Sequence, residues 1–205
     1  MTLNTQTHVP LMEEFYSIQG EGFHTGRAAY FIRLAGCDVG CTWCDVKESW
    51  DVESHPLVEI ASIIQNIKQS GTDFVVITGG EPAMYDLTAL CDAIHQIDGV
   101  SIAIETSGAH PIIGDIDWIC LSPKKFKLPL EDNYLIANEL KVIAFNNHDF
   151  KWAKELENKV SLACQLYIQP EWDKKEEMTP KIIDFVKQNP DWNISLQTHK
   201  YLNVR

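Results

Sequence analysis

No internal repeat, low-complexity tract or Pro/Gly-rich linker interrupts these 205 residues, so solenoid and multidomain arrangements find no support. No apolar stretch approaches the roughly 20 residues that cross a bilayer. The opening, MTLNTQTHVPLMEEF, has neither the basic start nor the apolar run of a secretory leader, and none is expected. Basic residues are scarce: 17 Lys and Arg stand against 29 Asp and Glu, a net charge of −12. That balance argues against a nucleic-acid surface, which needs a basic footprint, and against anionic lipid. An anionic ligand would then need a local basic site. Arg33, Lys47 and the run Lys124-Lys125-Phe126-Lys127 are the candidates. Six unpaired-looking cysteines without a leader suit free thiols in a reducing cytoplasm. What remains, with 45% hydrophobic residues, is enough for one sizeable core. One domain over residues 1–205 is expected.

The cysteines carry the strongest signal. Cys37, Cys41 and Cys44 are spaced C-x3-C-x2-C in Gly36-Cys37-Asp38-Val39-Gly40-Cys41-Thr42-Trp43-Cys44-Asp45, and no fourth cysteine is near. Three thiolates can hold three irons of a [4Fe–4S] cluster and leave the fourth open to a ligand, whereas electron-transfer ferredoxins close theirs with a fourth thiolate. Two other readings stay open on the triplet alone. Asp45 or a distant histidine could complete a structural zinc site, although such sites usually pair one C-x-x-C with another. Cys41 and Cys44 could form a redox pair, which leaves Cys37 idle. Cys91, Cys120 and Cys164 each sit alone in apolar stretches and read as small core residues.

Short apolar runs alternate with helical patterns. Strands are predicted at 29–35, 74–78, 101–105, 118–121, 139–144, 164–169 and 193–197, several nearly continuous in apolar character, as in strands covered on both faces. Helices are predicted at 57–69, 87–97, 149–158 and 180–188, the last with Thr179 as N-cap and Pro180 at its first position. This alternation implies a parallel α/β sheet. It is uneven: about ten residues separate the third and fourth strands, and the next link has no helical period, while full crossovers take about a dozen residues or more. The expectation is a partial, open β/α barrel with a reduced helix count. Ligands should then lie at the C-terminal strand ends.

Those ends are polar. Thr78-Gly79-Gly80-Glu81-Pro82 follows the second predicted strand, Glu105-Thr106-Ser107-Gly108 the third, Ser122-Pro123-Lys124 the fourth and Gln169-Pro170-Glu171 the sixth. Each alone could be turn chemistry. Four at one rim fit an elongated ligand that needs hydrogen bonds along its length. Arg33, four residues before the cysteine loop, carries a guanidinium fork suited to a carboxylate, or else forms an ordinary salt bridge.

The triplet, with an aromatic residue before its last cysteine, resembles the radical S-adenosylmethionine (SAM) superfamily, as does the Thr78–Pro82 stretch. Glu14-Phe15-Tyr16-Ser17-Ile18-Gln19-Gly20-Glu21-Gly22, Phe31-Ile32-Arg33-Leu34-Ala35-Gly36-Cys37 and Ser195-Leu196-Gln197-Thr198-His199-Lys200-Tyr201 narrow it further. Together they resemble the 7-carboxy-7-deazaguanine synthases of queuosine and deazapurine biosynthesis, a tRNA-modification pathway, from about Glu14 onward. The resemblance implies a carbon–nitrogen lyase that turns 6-carboxy-5,6,7,8-tetrahydropterin into 7-carboxy-7-deazaguanine with loss of ammonia, through a 5′-deoxyadenosyl radical. Cys37, Cys41 and Cys44 would hold the cluster. Trp43, Cys44, Asp45, Gly80, Ser122, Pro123, Lys124, Gln169, Pro170, Glu171 and Trp172 would meet SAM. Ile18, Gln19, Gly20, Glu21, Arg33, Thr78, His199 and the carboxylate of Arg205 would meet the pterin.

It also implies a reducing partner such as flavodoxin or ferredoxin, a cytoplasmic homodimer, and a Mg²⁺ ion at the substrate carboxylate. Many relatives hold that ion with a Thr or Ser hydroxyl where this chain has Val46, which offers no oxygen. Lys47, one residue on, could supply the positive charge instead. A glycyl-radical-enzyme activase, which shares the cysteine spacing, and a non-catalytic zinc-binding domain are the alternatives.

Overall fold

The structure, a computed structural model, describes residues 7–205; the first part of the leader-free start expected above lies outside that range. Nine strands form one sheet: β1 (His8–Ile18), β2 (Ala28–Leu34), β3 (Leu57–Glu59), β4 (Phe74–Gly79), β5 (Ser101–Thr106), β6 (Trp118–Leu121), β7 (Glu139–Ala144), β8 (Gln165–Pro170) and β9 (Trp192–Ile194). Their order is β3-β1-β2-β4-β5-β6-β7-β8-β9. From β2 to β9 every pairing is parallel, while β1 runs antiparallel to β2 and β3 antiparallel to β1. The sheet keeps two edges, β3 and β9, and so is the open, partial barrel expected from the uneven crossovers.

Burial explains the runs. Phe74, Val75, Val76 and Ile77 are all buried, as are Ile102, Ala103 and Ile104, so neither face of these strands meets water. Helix α1 (Ile60–Ser70) turns Ile60, Ile63 and Ile67 inward at helical spacing and stops at Gly71, whose φ of 69° ends it in the left-handed conformation. With α2 (Thr88–His95) it packs over β1, β2, β4 and β5. Helices α4 (His148–Glu157) and α5 (Lys175–Gln188) cover β7, β8 and β9 in a second cluster around Tyr134, Met178, Ile182 and Trp192. Between β5 and β6 no helix intervenes among the described residues.

Five expectations are corrected. Residues 8–18 form the long strand β1, since their apolar–polar pattern pairs them with β2. The segment read as a helix from 57 begins as β3, which adds to β1 at the sheet edge, and turns helical only at Ile60. The link from β6 to β7 contains a six-residue helix, α3 (Glu131–Ile136), anchored by the buried Tyr134 and Asn133. Helix α5 starts at Lys175, and Pro180 lies inside it. A preceding turn, Trp172–Lys174, capped by the Glu171 carboxylate accepting from the Asp173 and Lys174 N–H groups, starts the helix early. Pro180 then forfeits one internal bond, to the carbonyl of residue 176. At the C-terminal end β9 stops at Ile194, and Gln197 precedes a short helix, α6 (Thr198–Leu202), instead of ending the strand.

Candidate active site at the strand ends

The C-terminal ends of the parallel strands open onto a cavity of about 290 Å³. All three cysteines of the triplet line it. So do Ile18, Gln19, Gly20, Glu21, Arg33, Thr78, His199 and Arg205 of the expected pterin set, and Trp43, Asp45, Gly80, Ser122, Lys124, Gln169, Pro170, Glu171 and Trp172 of the expected SAM set. Val46 lines it too. Two expected residues do not: Pro123, between two lining neighbours, and Lys47, which begins a short turn with its ammonium 6.0 Å over the Trp50 ring.

The cysteine loop is clasped on two sides. The Gly36 N–H donates to Ser49 O (2.6 Å) and the Cys37 N–H to Trp50 O (3.2 Å), while the Cys44 N–H closes a turn on Cys41 O (3.1 Å). From the other side the Gly80 N–H donates to Leu34 O (2.9 Å) and the Glu81 N–H to Gly36 O (2.8 Å). A Cβ at position 80 would overlap the Gly36 carbonyl and lie 3.1 Å from Cys37 Cβ, so only glycine lets β4 approach the loop this closely. Glu81 is buried and fully engaged: it accepts from the N–H of Ala83 and Ser107 and from the hydroxyls of Thr106 and Ser107. It is a strut between the ends of β4 and β5. Asp38, just after Cys37, pairs with His110 (2.9 Å) and Lys127 (2.6 Å), and Asp45, just after Cys44, with Lys200 (2.9 Å).

This loop fits a three-thiolate cluster. Burial pushes the Cys37 and Cys41 thiols up, Lys124 opposing it at Cys41, so a cation is needed to hold them as thiolates. Among the described residues the cavity wall has no fourth thiol, and the glycine cradle at Gly80 keeps Cβ atoms out of the space beside Cys37. Among the same residues, no three His, Cys, Asp or Glu side chains close on one point as a single metal ion would require. A cubane asks less, since each thiolate meets its own iron. Beside the loop, the Lys124 ammonium stands 5.5 Å over the Trp43 ring and bonds Ser122. Burial lowers its pKa.

The opposite wall joins sequence-distant segments. The N–H and hydroxyl of Thr198 both donate to Gly20 O, at 2.9 Å each, and Ser17 Oγ donates to Arg205 O (2.6 Å). A Cβ at Gly20 would overlap the His199 ring, so glycine is what lets α6 lie on this loop. Burial holds His199 below its ordinary pKa, with Glu21 pulling the other way. Arg33 donates through Nε to Glu13 Oε1 (2.9 Å), and Glu13 also takes the Arg205 guanidinium (2.5 Å). Arg33 is therefore both salt-bridged and on the cavity. Because the bridge uses Nε, its terminal nitrogens make no hydrogen bond among the described residues. Phe15 and Phe31, stacked 5.1 Å apart, provide an apolar wall.

Two strand-end side chains are already committed within the protein, and one cavity residue lies outside the expected sets. The Gln169 carbonyl oxygen is taken by Ser195 Oγ (2.6 Å), and the Glu171 carboxylate is spent as a cap, so Trp172 is the more available part of that segment. Lys141 was not anticipated. It lines the cavity from β7, 2.7 Å from Glu21 and 2.8 Å from Glu105. Its signal was in plain view, a lone charge in the otherwise apolar stretch Leu140-Lys141-Val142-Ile143.

Comparison with known proteins agrees with this geometry. Residues 31–124 match the model of the radical SAM superfamily. A 7-carboxy-7-deazaguanine synthase from Flavobacterium psychrophilum is 56% identical over 96% of this chain and 92% of its own. One from Synechocystis sp. is 48% identical over 96% and 93%. The crystal structure of QueE from Escherichia coli superimposes with a TM-score of 0.81, at 30% identity, over 94% of both chains.

Proposed function

The chain belongs to the 7-carboxy-7-deazaguanine synthase family of radical SAM enzymes, and from that premise we propose that it converts 6-carboxy-5,6,7,8-tetrahydropterin into 7-carboxy-7-deazaguanine with loss of ammonia. The observation that carries this reading is the sharing of one cavity by the three thiols, the polar strand ends and the Gln19–Glu21 loop. The activase and zinc-domain alternatives draw no support from these relatives.

Cys37, Cys41 and Cys44 would hold the [4Fe–4S] cluster, and Trp43, Asp45, Gly80, Ser122, Lys124 and the 169–172 segment would hold SAM. When bound, these cofactors supply one-electron cleavage of a C–S bond and the hydrogen-abstracting radical. The protein's own work is positioning and exclusion. Arg33 takes the substrate carboxylate on its terminal nitrogens, where a planar fork is worth more than a point charge. Gln19 and Glu21 accept from the donor-rich pyrimidine edge. Phe15 and Phe31 cover the ring and keep water away. His199, kept neutral by burial, can donate or accept one hydrogen bond at the substrate without adding charge.

The chain works as a single radical SAM domain in a cytoplasmic homodimer on the queuosine route, reduced by a flavodoxin- or ferredoxin-type donor. Its Mg²⁺ requirement is weakened by Val46. The test is anaerobic reconstitution followed by turnover with SAM, reductant and the carboxypterin, read by product mass. Iron near four per chain and the expected product support the reading; a colourless protein with one zinc overturns it. Alanine at Cys37, Cys41 or Cys44 should remove iron and turnover. Alanine at Cys91, Cys120 or Cys164, all buried, should keep the cluster.

A further inference from the structure

Lys141 is buried in the middle of a hydrophobic strand, with 3% of its side chain exposed. Its ammonium lies between Glu21 Oε2 (2.7 Å) and Glu105 Oε2 (2.8 Å). The two carboxylates reach further out, with 18% and 20% of their side chains exposed, and both line the cavity. Gln19 closes the circuit. Its Nε2 donates to Glu105 Oε1 (3.3 Å) and its Oε1 accepts from the Glu21 N–H (3.1 Å). Gln197 Nε2 donates to Glu21 Oε1 (2.9 Å) from the far end of the chain. The ring thus joins the β1–β2 loop, β5, β7 and the C-terminal segment.

Two carboxylates on one small cavity repel each other, and one would ordinarily take up a proton. Burial does push Glu21 up, but the Lys141 ammonium, helped by Gln197 and His199, holds it down at about 2. Burial likewise disfavours the charged lysine, and the carboxylates of Glu105 and Glu21 against its ammonium keep its pKa well above the ordinary value. A buried ion triad is weak as a source of stability, since apolar residues in its place commonly do as well. In this strand the neighbours Leu140 and Val142 are fully buried apolar residues. Its position at the cavity floor gives the triad a different use.

Building on the pterin reading, we propose that Lys141 is a positioning residue for substrate, fixing Glu21 and Glu105 as two ionised acceptors for a 2-amino-4-oxopyrimidine edge. Such an edge presents N–H donors side by side, and tetrahydropterin adds further ring N–H groups. Two anchored carboxylates read donors and reject acceptors. An analogue with oxygen in place of the 2-amino group would leave a buried carboxylate without its partner, the kind of mismatch that gives strong discrimination. Neither Lys141 nor Glu105 needs to touch the cluster or SAM for this.

The test measures binding of 6-carboxypterin, and of its 2-oxo counterpart 6-carboxylumazine, to anaerobically reconstituted enzyme by calorimetry. Wild type should favour the 2-amino compound. Lys141→Met should weaken 6-carboxypterin by about ten- to hundredfold, the weight of one or two charge-assisted hydrogen bonds, and lose most of the 2-amino preference. Its iron content and SAM binding should stay at wild-type levels. Adding Glu105→Gln removes the uncompensated charge, so the double variant should bind better than Lys141→Met alone; a purely structural lysine predicts no such rescue. If Lys141→Met does not fold, Glu105→Gln alone, which keeps the Lys141–Glu21 pair, should lose several-fold in affinity and in 2-amino preference. Unchanged affinity and preference in the folded variants overturn the proposal. A wild-type enzyme that neither binds nor turns over the carboxypterin overturns the functional reading instead.

Discussion

Gly20→Ala should damage this enzyme out of proportion to the single methyl it adds. The φ of Gly20 is not in the left-handed region, so alanine meets no backbone penalty, and only collision matters. The new Cβ would overlap His199 Nδ1 and lie 2.8 Å from both Cβ and Cγ of His199. Ordinary carbon contacts need roughly 3.5–4.0 Å, so the two segments must part by about 0.7–1.2 Å. Rotating the ring cannot relieve this, because His199 Cβ is itself in the clash. What resists is the pair of Thr198 bonds to Gly20 O. At about 1 kcal/mol each they are comparable with the ~1–3 kcal/mol of overpacking, so α6 should shift as a unit. A displacement near 1 Å at a reacting site can cost ~100-fold in rate. We expect kcat/KM with the carboxypterin to fall between about ten- and hundredfold while iron content holds, with faster hydrogen exchange in 198–202. Gly99→Ala is the control. Its Cβ meets nothing, but its φ of 74° makes alanine strained by about 1–2 kcal/mol, so it should lower stability without touching turnover. Wild-type kcat/KM and unchanged exchange in a folded Gly20→Ala enzyme would refute the reasoning.

Arg33→Lys keeps the charge but loses the fork and the Nε bond to Glu13; it should raise KM for the carboxypterin by tenfold or more and leave SAM binding alone, as separate titrations of the two ligands would show. Residues appended after Arg205 should pull its carbonyl from Ser17 and its guanidinium from Glu13, impairing turnover where the same tag before Met1 does not; equal activity of the two forms would count against the role given to Arg205. Val46→Thr should increase Mg²⁺ activation of metal-stripped enzyme, and strong activation of wild type that the substitution leaves unchanged would refute the reading of Val46. Glu21, whose pKa is lowered on folding from 4.5 to about 2, contributes stability that is present above 4.5 and lost as pH falls from there through about 2. Acid melts of Glu21→Gln should therefore show a shallower loss across that window than wild type.

The sequence was most legible where its pattern was local. The buried runs at 74–78, 101–105 and 139–144 became β4, β5 and β7 within a residue, because strands covered on both faces have few other ways to hide so much apolar surface. Pro180 misled because a proline is a good helix start in isolation, while the Glu171 cap four residues before α5 had already decided the matter. Strand β1 was hidden because it carries a carboxylate on each face, Glu13 answered by Arg33 of β2 and Glu14 by Asn66 of α1, partners that no local pattern reveals. Site residues grouped by motif were found at the cavity almost without exception. Lys141 escaped because no periodicity marks it: its partners lie 120 and 36 residues away, and only the folded sheet brings them together.

The wall opposite the cysteine loop is stitched across nearly the full length of the chain: Ser17 to Arg205, Gly20 to Thr198, and Glu21 to Gln197. A chain emerging from the ribosome therefore carries β1 and the Gln19–Glu21 loop long before their partners exist. Until residues 197–205 are released, the Gly20 carbonyl and the Glu21 Oε1 atom must be satisfied by water. Contacts this distant in sequence also close slowly, because the loop entropy is spent before they form. The sheet can mature while the pocket is still missing a wall, and competence for ligand should arrive as a late, separable step. Following pulse-labelled exchange protection of the Thr198 amide, which donates to Gly20 O, and of the Gly22 amide, which donates to Ser195 Oγ, against that of β4 during refolding would time the two events.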